Sequence, residues 1–190
     1  MVKFLLYLVI LLSSFLPLWG SKIMAKDYPV DQRVVNPLMG KAAKYFEHKY
    51  HMNPIGIGIS MPNGIVKRLG IEFQVQKPLS KQEAREILIA CANELLSMIN
   101  NNKEIRPYLR NFPFTLKNVG IGIFIANQDG SDVYHPDICV ASISNGELTY
   151  DTRDKNNRYS YKSTTTESYE EALKALSVEE GNHFSEKRPI

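Results

Sequence analysis

The sequence lacks the features that would assign it at once to several broad classes of protein. No block of lysines or arginines runs along residues 26–190, so the electrostatic footprint of a nucleic-acid-binding protein is missing. There is no internal repeat at the period of a solenoid and no long low-complexity tract. After the first twenty residues, no apolar run is long enough to span a membrane. We therefore expect an ordinary globular chain with no nucleic-acid partner.

The sequence begins with the pattern of an export signal. Lys3 precedes an apolar run from Phe4 to Trp19, and Pro17 interrupts the end of that run. The run is shorter than the ~20 residues that span a bilayer comfortably, which favours a cleaved signal peptide over an anchor. We therefore expect residues 1–25 to be a signal peptide and the rest of the chain to be exported, to the periplasm or out of the cell. The alternative is a membrane anchor formed by residues 4–19.

The rest of the chain has the size of one ordinary domain. Without residues 1–25, about 165 residues remain, which is enough to bury a substantial core. The formal net charge of +3 includes Lys3 and Lys22, so the remainder carries about +1. We predict one domain over residues 26–178 and a polar, disordered tail over residues 179–190.

Three segments have the pattern of helices. Ser80 with Glu83 forms a capping box, and apolar residues recur at helical spacing from Ala84 to Met98. Residues 36–50 form a second, amphipathic segment. A last helix is expected after Ser168, which with Glu171 repeats the capping pattern.

Strands and tight turns fill the segments between these helices. Leu69 to Val75 alternates apolar and polar residues, as a half-buried strand does, and follows the turn sequence Pro62-Asn63-Gly64. Asn145-Gly146 marks a second hairpin, residues 114–126 another strand, and residues 158–165 an edge strand. We predict an α+β fold, with an antiparallel sheet of about five strands and helices packed mainly on one face.

The first hairpin predicts which residues share a face of the sheet. If its turn is symmetric, Ile55 and Ile57 share the buried face with Ile71, and Gly58 lies on the outer face near Gly70. Such an outer face is a flat surface that a binding partner could approach, or a place where strands tolerate glycine near bulges.

Cys91 and Cys139, the only two cysteines, both fall on faces assigned to the core. In an oxidising compartment, an even pair of this kind is a candidate disulfide between helix and sheet. The alternative is two small buried hydrophobic residues, because the bond requires Cα atoms within ~7 Å and the sequence does not supply that distance.

One histidine has the surroundings of a candidate catalytic residue. His135 lies between Asp132 and Asp137, and a general base oriented by a carboxylate has this composition. Polar loops without a catalytic role also contain histidine near aspartate, and no activated serine or cysteine is evident as a partner. A site built on these three residues would make the protein a small secreted hydrolase.

The connector from Glu104 to Phe114 is unusually rich in large apolar groups, arginines and prolines. Arg106, Tyr108 and Arg110 within it are candidate binding residues, because aromatic side chains beside arginine are typical of binding hot spots. The alternative is structural, with Leu109, Phe112 and Phe114 closing one end of the core.

No metal or cofactor motif is present, and we expect neither group. The H-E-x-x-H arrangement is absent, and the paired glycines lack the third glycine of a dinucleotide-binding fingerprint. Because no set of catalytic residues converges in the sequence, we expect an exported, non-catalytic binding module. Its partner would be a protein or a component of the cell envelope, with membrane contact only through an uncleaved N-terminal segment. The hydrolase is the alternative.

Overall fold

The structure, a computed structural model, describes residues 30–157 and 159–186. The predicted export segment, residues 1–25, lies outside the described residues, as do residues 187–190 of the predicted tail.

The described residues form one α+β fold of three α-helices and a six-stranded sheet. In chain order these elements are α1 (Val30–Tyr50), β1 (Asn53–Ser60), β2 (Arg68–Val75), α2 (Lys81–Asn101), β3 (Val119–Ile125), β4 (Ile138–Ser144), β5 (Glu147–Arg153), β6 (Tyr161–Ser168) and α3 (Tyr169–Glu186). The strands lie side by side in the order of the chain, from β1 to β6. The α+β class is therefore confirmed.

The sheet differs from the predicted one in strand number and in one pairing. It has six strands, and β2 pairs with β3 in parallel, whereas the other four pairs are antiparallel. The physical reason is the connection between β2 and β3. It contains α2, and a helical crossover returns the chain to the same end of the sheet, so that the next strand runs parallel.

The capping and turn residues are confirmed in detail. The Ser80 side chain accepts a hydrogen bond from the Glu83 amide, and the Glu83 carboxylate accepts one from the Ser80 amide. Ser168 and Glu171 make the same reciprocal pair at the start of α3. Asn145, with φ 58°, occupies the left-handed region that a tight hairpin turn requires.

The core lies between the sheet and the helices α1 and α2. Phe46 of α1 packs edge-on against Phe73 of β2, with ring centroids 6.1 Å apart. The alternating residues of β2 and β3 and the periodic residues of α2 complete this layer. Each fully buried side chain of this kind contributes about 1.5–3 kcal/mol to folding.

The expectation that Ile55 and Ile57 are buried is wrong. Ile57 pairs with Ile71 and so lies on the helix side of the sheet, as predicted, yet its side chain is 46% exposed. The reason is that β1 is an edge strand and the helix layer does not reach its outer side. Gly58 pairs with Gly70 on the opposite face, as predicted.

The last helix continues past the predicted domain boundary. The polar tail is predicted to begin at Glu179, whereas α3 runs to Glu186. Across residues 30–157 and 159–186, no helix is long and apolar enough to cross a membrane.

Both cysteines are free thiols in the structure, so it contains no disulfide between them. Cys91 is buried in α2, and Cys139 is buried at the irregular first end of β4. The Cys139 thiol donates a hydrogen bond to the backbone oxygen of Asp151 at 3.3 Å. Burial raises the pKa of both thiols. This arrangement matches the interpretation of both residues as small buried side chains.

Candidate functional site

The face of the sheet opposite the helices carries a shallow cavity of about 400 Å³ over β1 to β4. Its floor, called the glycine floor below, consists of small residues from four neighbouring strands: Gly58, Gly70, Gly120, Gly122, Ser142 and Ser144. Because the floor has almost no side chains, a partner could approach the backbone of the sheet itself.

The strand register aligns the small residues in rows across the sheet. One row runs from Gly58 through Gly70 and Gly120 to Ser144. Since the side-chain period of a strand is two residues, all four positions are on the same face. The next row, two residues along, has Glu72 between two further glycines and ends at Ser142.

The glycines make room for specific neighbours. A Cβ at Gly70 would lie 3.1 Å from the carbonyl oxygen of Gly120, and a Cβ at Gly120 would lie 3.1 Å from Nη2 of Arg68. A Cβ at Gly56 would lie 3.1 Å from Oε2 of Glu72. The charged side chains therefore occupy the space that other residues would fill at positions 56 and 120.

Opposite charges lie at the two ends of the floor. Arg68 donates a hydrogen bond from Nη2 to the Ser144 hydroxyl, which holds the guanidinium over β3 and β4. Glu72 lies four residues further along the same strand, on the same face, and at the usual rise of a strand its Cα atom is about 13 Å from that of Arg68. Phe124, on the outer face beside Gly122, adds an exposed aromatic ring near the Glu72 end. The floor thus offers a cation at one end and a carboxylate and a ring at the other.

A second cavity, of about 310 Å³, lies where α2 begins, beside β5 and β6. His135 is on its wall, and His135 Nδ1 lies 3.1 Å from the Thr152 hydroxyl. That hydroxyl lies 2.7 Å from the hydroxyl of Ser163. The structure therefore joins a histidine to two hydroxyl groups that are distant in the sequence.

A buried ion pair borders this second cavity. Arg85 of α2 bonds both carboxylate oxygens of Glu167, at 2.9 and 3.0 Å, and the Tyr150 hydroxyl donates to the same carboxylate at 2.5 Å. Burial opposes the charge on Glu167, but the bonds from Arg85 and Tyr150 outweigh it, so the pKa of this carboxyl is lowered. Burial and the bond to Glu167 raise the pKa of Tyr150. Lys81 Nζ lies 4.8 Å from the centre of the Tyr150 ring.

The predicted aspartates occupy different positions around His135. Asp137 lines the cavity with His135, and its amide donates to the Tyr134 carbonyl in a turn. Asp132 forms an isolated β-bridge with Ala126. The hydrogen bond described for the His135 ring is to Thr152, which the sequence analysis does not single out.

The connector between α2 and β3 closes the core with most of its apolar residues. Leu109 and Phe114 are buried, as the structural interpretation expects, and Ile105 is buried with them. The expectation for Phe112 is wrong: its ring is 48% exposed, because it faces outward, where the guanidinium of Arg106 stacks on it at 4.1 Å.

Of the other two predicted binding residues, Tyr108 is half-buried and packs against the core, and Arg110 is exposed. The backbones of both residues pair with Val66, where the Val66 amide donates to the Tyr108 carbonyl and the Arg110 amide donates to the Val66 carbonyl.

The residues that complete the glycine floor were not among the predicted site residues. Glu72, Ser142 and Ser144 had no assigned role, because the adjacency of β2 with β3 was not predicted. The sequence nevertheless contains a signal of this surface. Gly56-Ile57-Gly58 in β1, Gly120-Ile121-Gly122 in β3 and Ser142-Ile143-Ser144 in β4 each place two small residues on the same face, one on either side of an isoleucine.

Within the described part of the chain, no group of three or more histidine, cysteine, aspartate or glutamate side chains could hold a metal ion. No protein-family model matches the chain, and neither a curated protein nor a solved structure matches it.

Proposed function

We propose that the protein is an exported, non-catalytic binding module, and that the glycine floor is its binding surface. The observation that carries this proposal is the alignment of Gly58, Gly70, Gly120 and Ser144 across four strands, on the face opposite the helices of the described residues. At Gly58, where an added Cβ would have room, glycine weakens the strand by about 0.5–1 kcal/mol relative to alanine. A partner that must approach the backbone closely explains why glycine stands there despite this loss of stability.

The chemistry of the floor indicates the kind of partner. Its partner is a segment of another protein, lying along β2 with an acidic group near Arg68 and a basic group near Glu72. The Cα atoms of Arg68 and Glu72 are about 13 Å apart, which corresponds to four residues of an extended chain. The exposed ring of Phe124 would contact an apolar or cationic side chain of the same segment.

The site of action follows from the first twenty residues of the sequence. The basic residue and apolar run at the N-terminus support export, and the partner is therefore a protein or an envelope component in the periplasm or outside the cell. Retention by residues 4–19 would place the same floor at a membrane surface.

Photo-crosslinking in the native host tests the proposal. A photoreactive phenylalanine analogue replaces Ser142 on the floor, and in a matched strain it replaces Thr166, which is exposed on the outer face of β6. We expect a discrete crosslinked product from position 142 and none from position 166. Equal products from both positions, or no product from position 142, would contradict the proposal.

The alternative, a hydrolase, rests on one specific observation. The imidazole of His135 contacts a hydroxyl on the wall of a cavity, as a general base contacts its nucleophile. Thr152 is the group in contact, and its hydroxyl also bonds Ser163. The test is hydrolysis of p-nitrophenyl esters by the native chain and by His135→Ala and Thr152→Ala. Activity that both substitutions abolish would replace the binding module with the hydrolase.

A further inference from the structure

The outer edge of β1 combines exposed backbone with exposed apolar side chains. Among the described residues, no strand pairs with this edge. Its three isoleucines, Ile55, Ile57 and Ile59, are 49%, 46% and 36% exposed. An edge strand with free hydrogen-bonding groups and apolar side chains is a template for pairing with another strand.

The usual protections against such pairing are confined to one end of β1. Pro54 and the register shift between Pro54 and Gly56 interrupt the first part of the strand. From Gly56 to Ser60 the pairing with β2 is regular, and no residue of β1 carries a charge. Natural edges are commonly protected by lysine, proline or bulges, so the second half of this edge is unprotected.

We propose that β1 pairs in antiparallel register with β1 of a second copy of this chain, about a two-fold axis at Ile57. This register places Ile57 opposite its own copy within the regular part of β1, and Ile59 opposite Ile55 of the copy at the register shift. The isoleucines of both copies lie on one face, because residues directly opposite each other in an antiparallel pair are on the same face of the sheet. The two sheets become one continuous twelve-stranded sheet with all helices on the same side.

The flank of α1 above this edge is shaped for a second helix. Lys49 bonds Glu94 of α2 at 2.7 Å, so the flank of α1 that carries Lys49 faces α2. The helical period places four residues on the opposite flank, toward the β1 edge: Asn36, Gly40, Ala43 and Glu47. A Cβ at Gly40 would have no atom within 4 Å. Ala43 is already buried in the single chain, whereas Gly40 is partly exposed, so Gly40 is the position at which the α1 helices of both copies can pack closely.

Charge complementarity favours a second copy over a different partner. The β1 strands bring no charges together, so self-pairing opposes no like charges. If the two α1 helices cross in antiparallel fashion at Gly40, Glu47 of one copy lies opposite Arg33 of the other. Both side chains are solvent-accessible in the described chain, and the two-fold axis forms this pair twice.

The test is the oligomeric state of the chain in the form that accumulates in its host cell. Sedimentation velocity from about 1 to about 200 µM is expected to show a monomer–dimer equilibrium, because edge pairing buries less surface than a permanent interface. Ile57→Lys places two like charges at the axis, and we expect it to raise the dissociation constant by at least about tenfold. Ile65→Lys is the matched control, since Ile65 is 41% exposed outside β1, and it leaves the equilibrium unchanged.

A second variant separates loss of the interface from loss of the fold. Gly40→Leu raises helix propensity in α1 and has free space in the monomer, yet it blocks the helix crossing. A folded, monomeric Gly40→Leu variant, with an unchanged far-ultraviolet circular dichroism spectrum, supports the proposal. A native chain that remains monomeric at all concentrations overturns it, as does a dimer that survives both Ile57→Lys and Gly40→Leu.

Discussion

The carbonyl oxygen of Gly120 lies 3.1 Å from the point where a Cβ at Gly70 would stand. The two residues face each other across the parallel pair β2–β3. Real Cβ atoms rarely approach a backbone atom this closely, and backbone atoms in a central strand pair cannot move aside cheaply. Glycine at position 70 is therefore a requirement of the packing as well as a feature of the floor.

We predict that Gly70→Ala destabilises the fold by about 1–3 kcal/mol, the range for an overpacked site. Gly58→Ala is the control, since a Cβ at Gly58 would lie 4.0 Å from its nearest neighbour, the carbonyl oxygen of Gly70. Alanine is the better strand residue, so we expect this variant to be neutral or slightly more stable. Urea unfolding of both variants measures the difference. Equal stability of the two would show that the close approach is not a real constraint.

The buried pair between Arg85 and Glu167 is expected to dominate the local stability of the layer between α2 and β6. We predict that Glu167→Gln costs about 3–5 kcal/mol, because it leaves the guanidinium of Arg85 buried opposite a neutral group. Tyr150→Phe, which removes only one donor to the same carboxylate, should cost about 1–2 kcal/mol. A loss in Glu167→Gln no larger than that in Tyr150→Phe would contradict this ranking.

The same pair predicts a pH dependence. The native pKa of Glu167 is below its ordinary value of 4.5, so the native state binds a proton less readily than the unfolded chain. This contribution to stability is complete above the unfolded pKa and is lost as the pH falls through the native pKa. Between about pH 6 and about pH 3, the native chain should therefore lose more stability than Glu167→Gln does. If the free energy of unfolding falls equally with pH in the two proteins, other carboxyl groups are responsible for the acid sensitivity.

The two thiols are predicted to be free but slow to react. Burial raises the pKa of both Cys91 and Cys139, which lowers the thiolate fraction available to a reagent. A colorimetric thiol reagent should detect almost no reaction in the folded chain. After unfolding without a reductant, it should detect two equivalents per chain, one for each cysteine. Detection of none after unfolding would establish the disulfide instead.

Two phenylalanines of the connector form a matched pair for separating packing from surface contact. Phe114 is buried, and we predict that Phe114→Ala costs about 3–5 kcal/mol. Phe112 is 48% exposed and contacts Arg106, so Phe112→Ala should cost about 1 kcal/mol or less. Chemical denaturation checks both values. A comparable loss of stability in the two variants would mean that Phe112 also belongs to the core.

Local features of the fold followed from the sequence because their causes are local. The Ser80 and Ser168 caps and the Asn145-Gly146 turn each depend on a few adjacent residues, and all three are present. The outer-face pairing of Gly58 with Gly70 followed from the symmetry of one hairpin.

Features that depend on strand order did not follow from the sequence. The exposure of Ile57 results from the position of β1 at the sheet edge, and no pattern within β1 encodes it. The contact of His135 with Thr152 joins residues 17 positions apart through sheet register, and that of Arg85 with Glu167 joins residues 82 positions apart. The complete glycine floor likewise required the parallel pairing of β2 with β3.

The most direct test of the glycine floor as a binding surface is the yield of the crosslinked product from position 142 when the floor is filled. Gly58→Val puts a side chain into the cavity at a position with free space, and Thr166→Val introduces the same residue on the same face at β6. We expect Gly58→Val to reduce the yield by about tenfold or more and Thr166→Val to leave it unchanged. A yield that Gly58→Val does not alter would contradict the assignment of the floor as the binding surface.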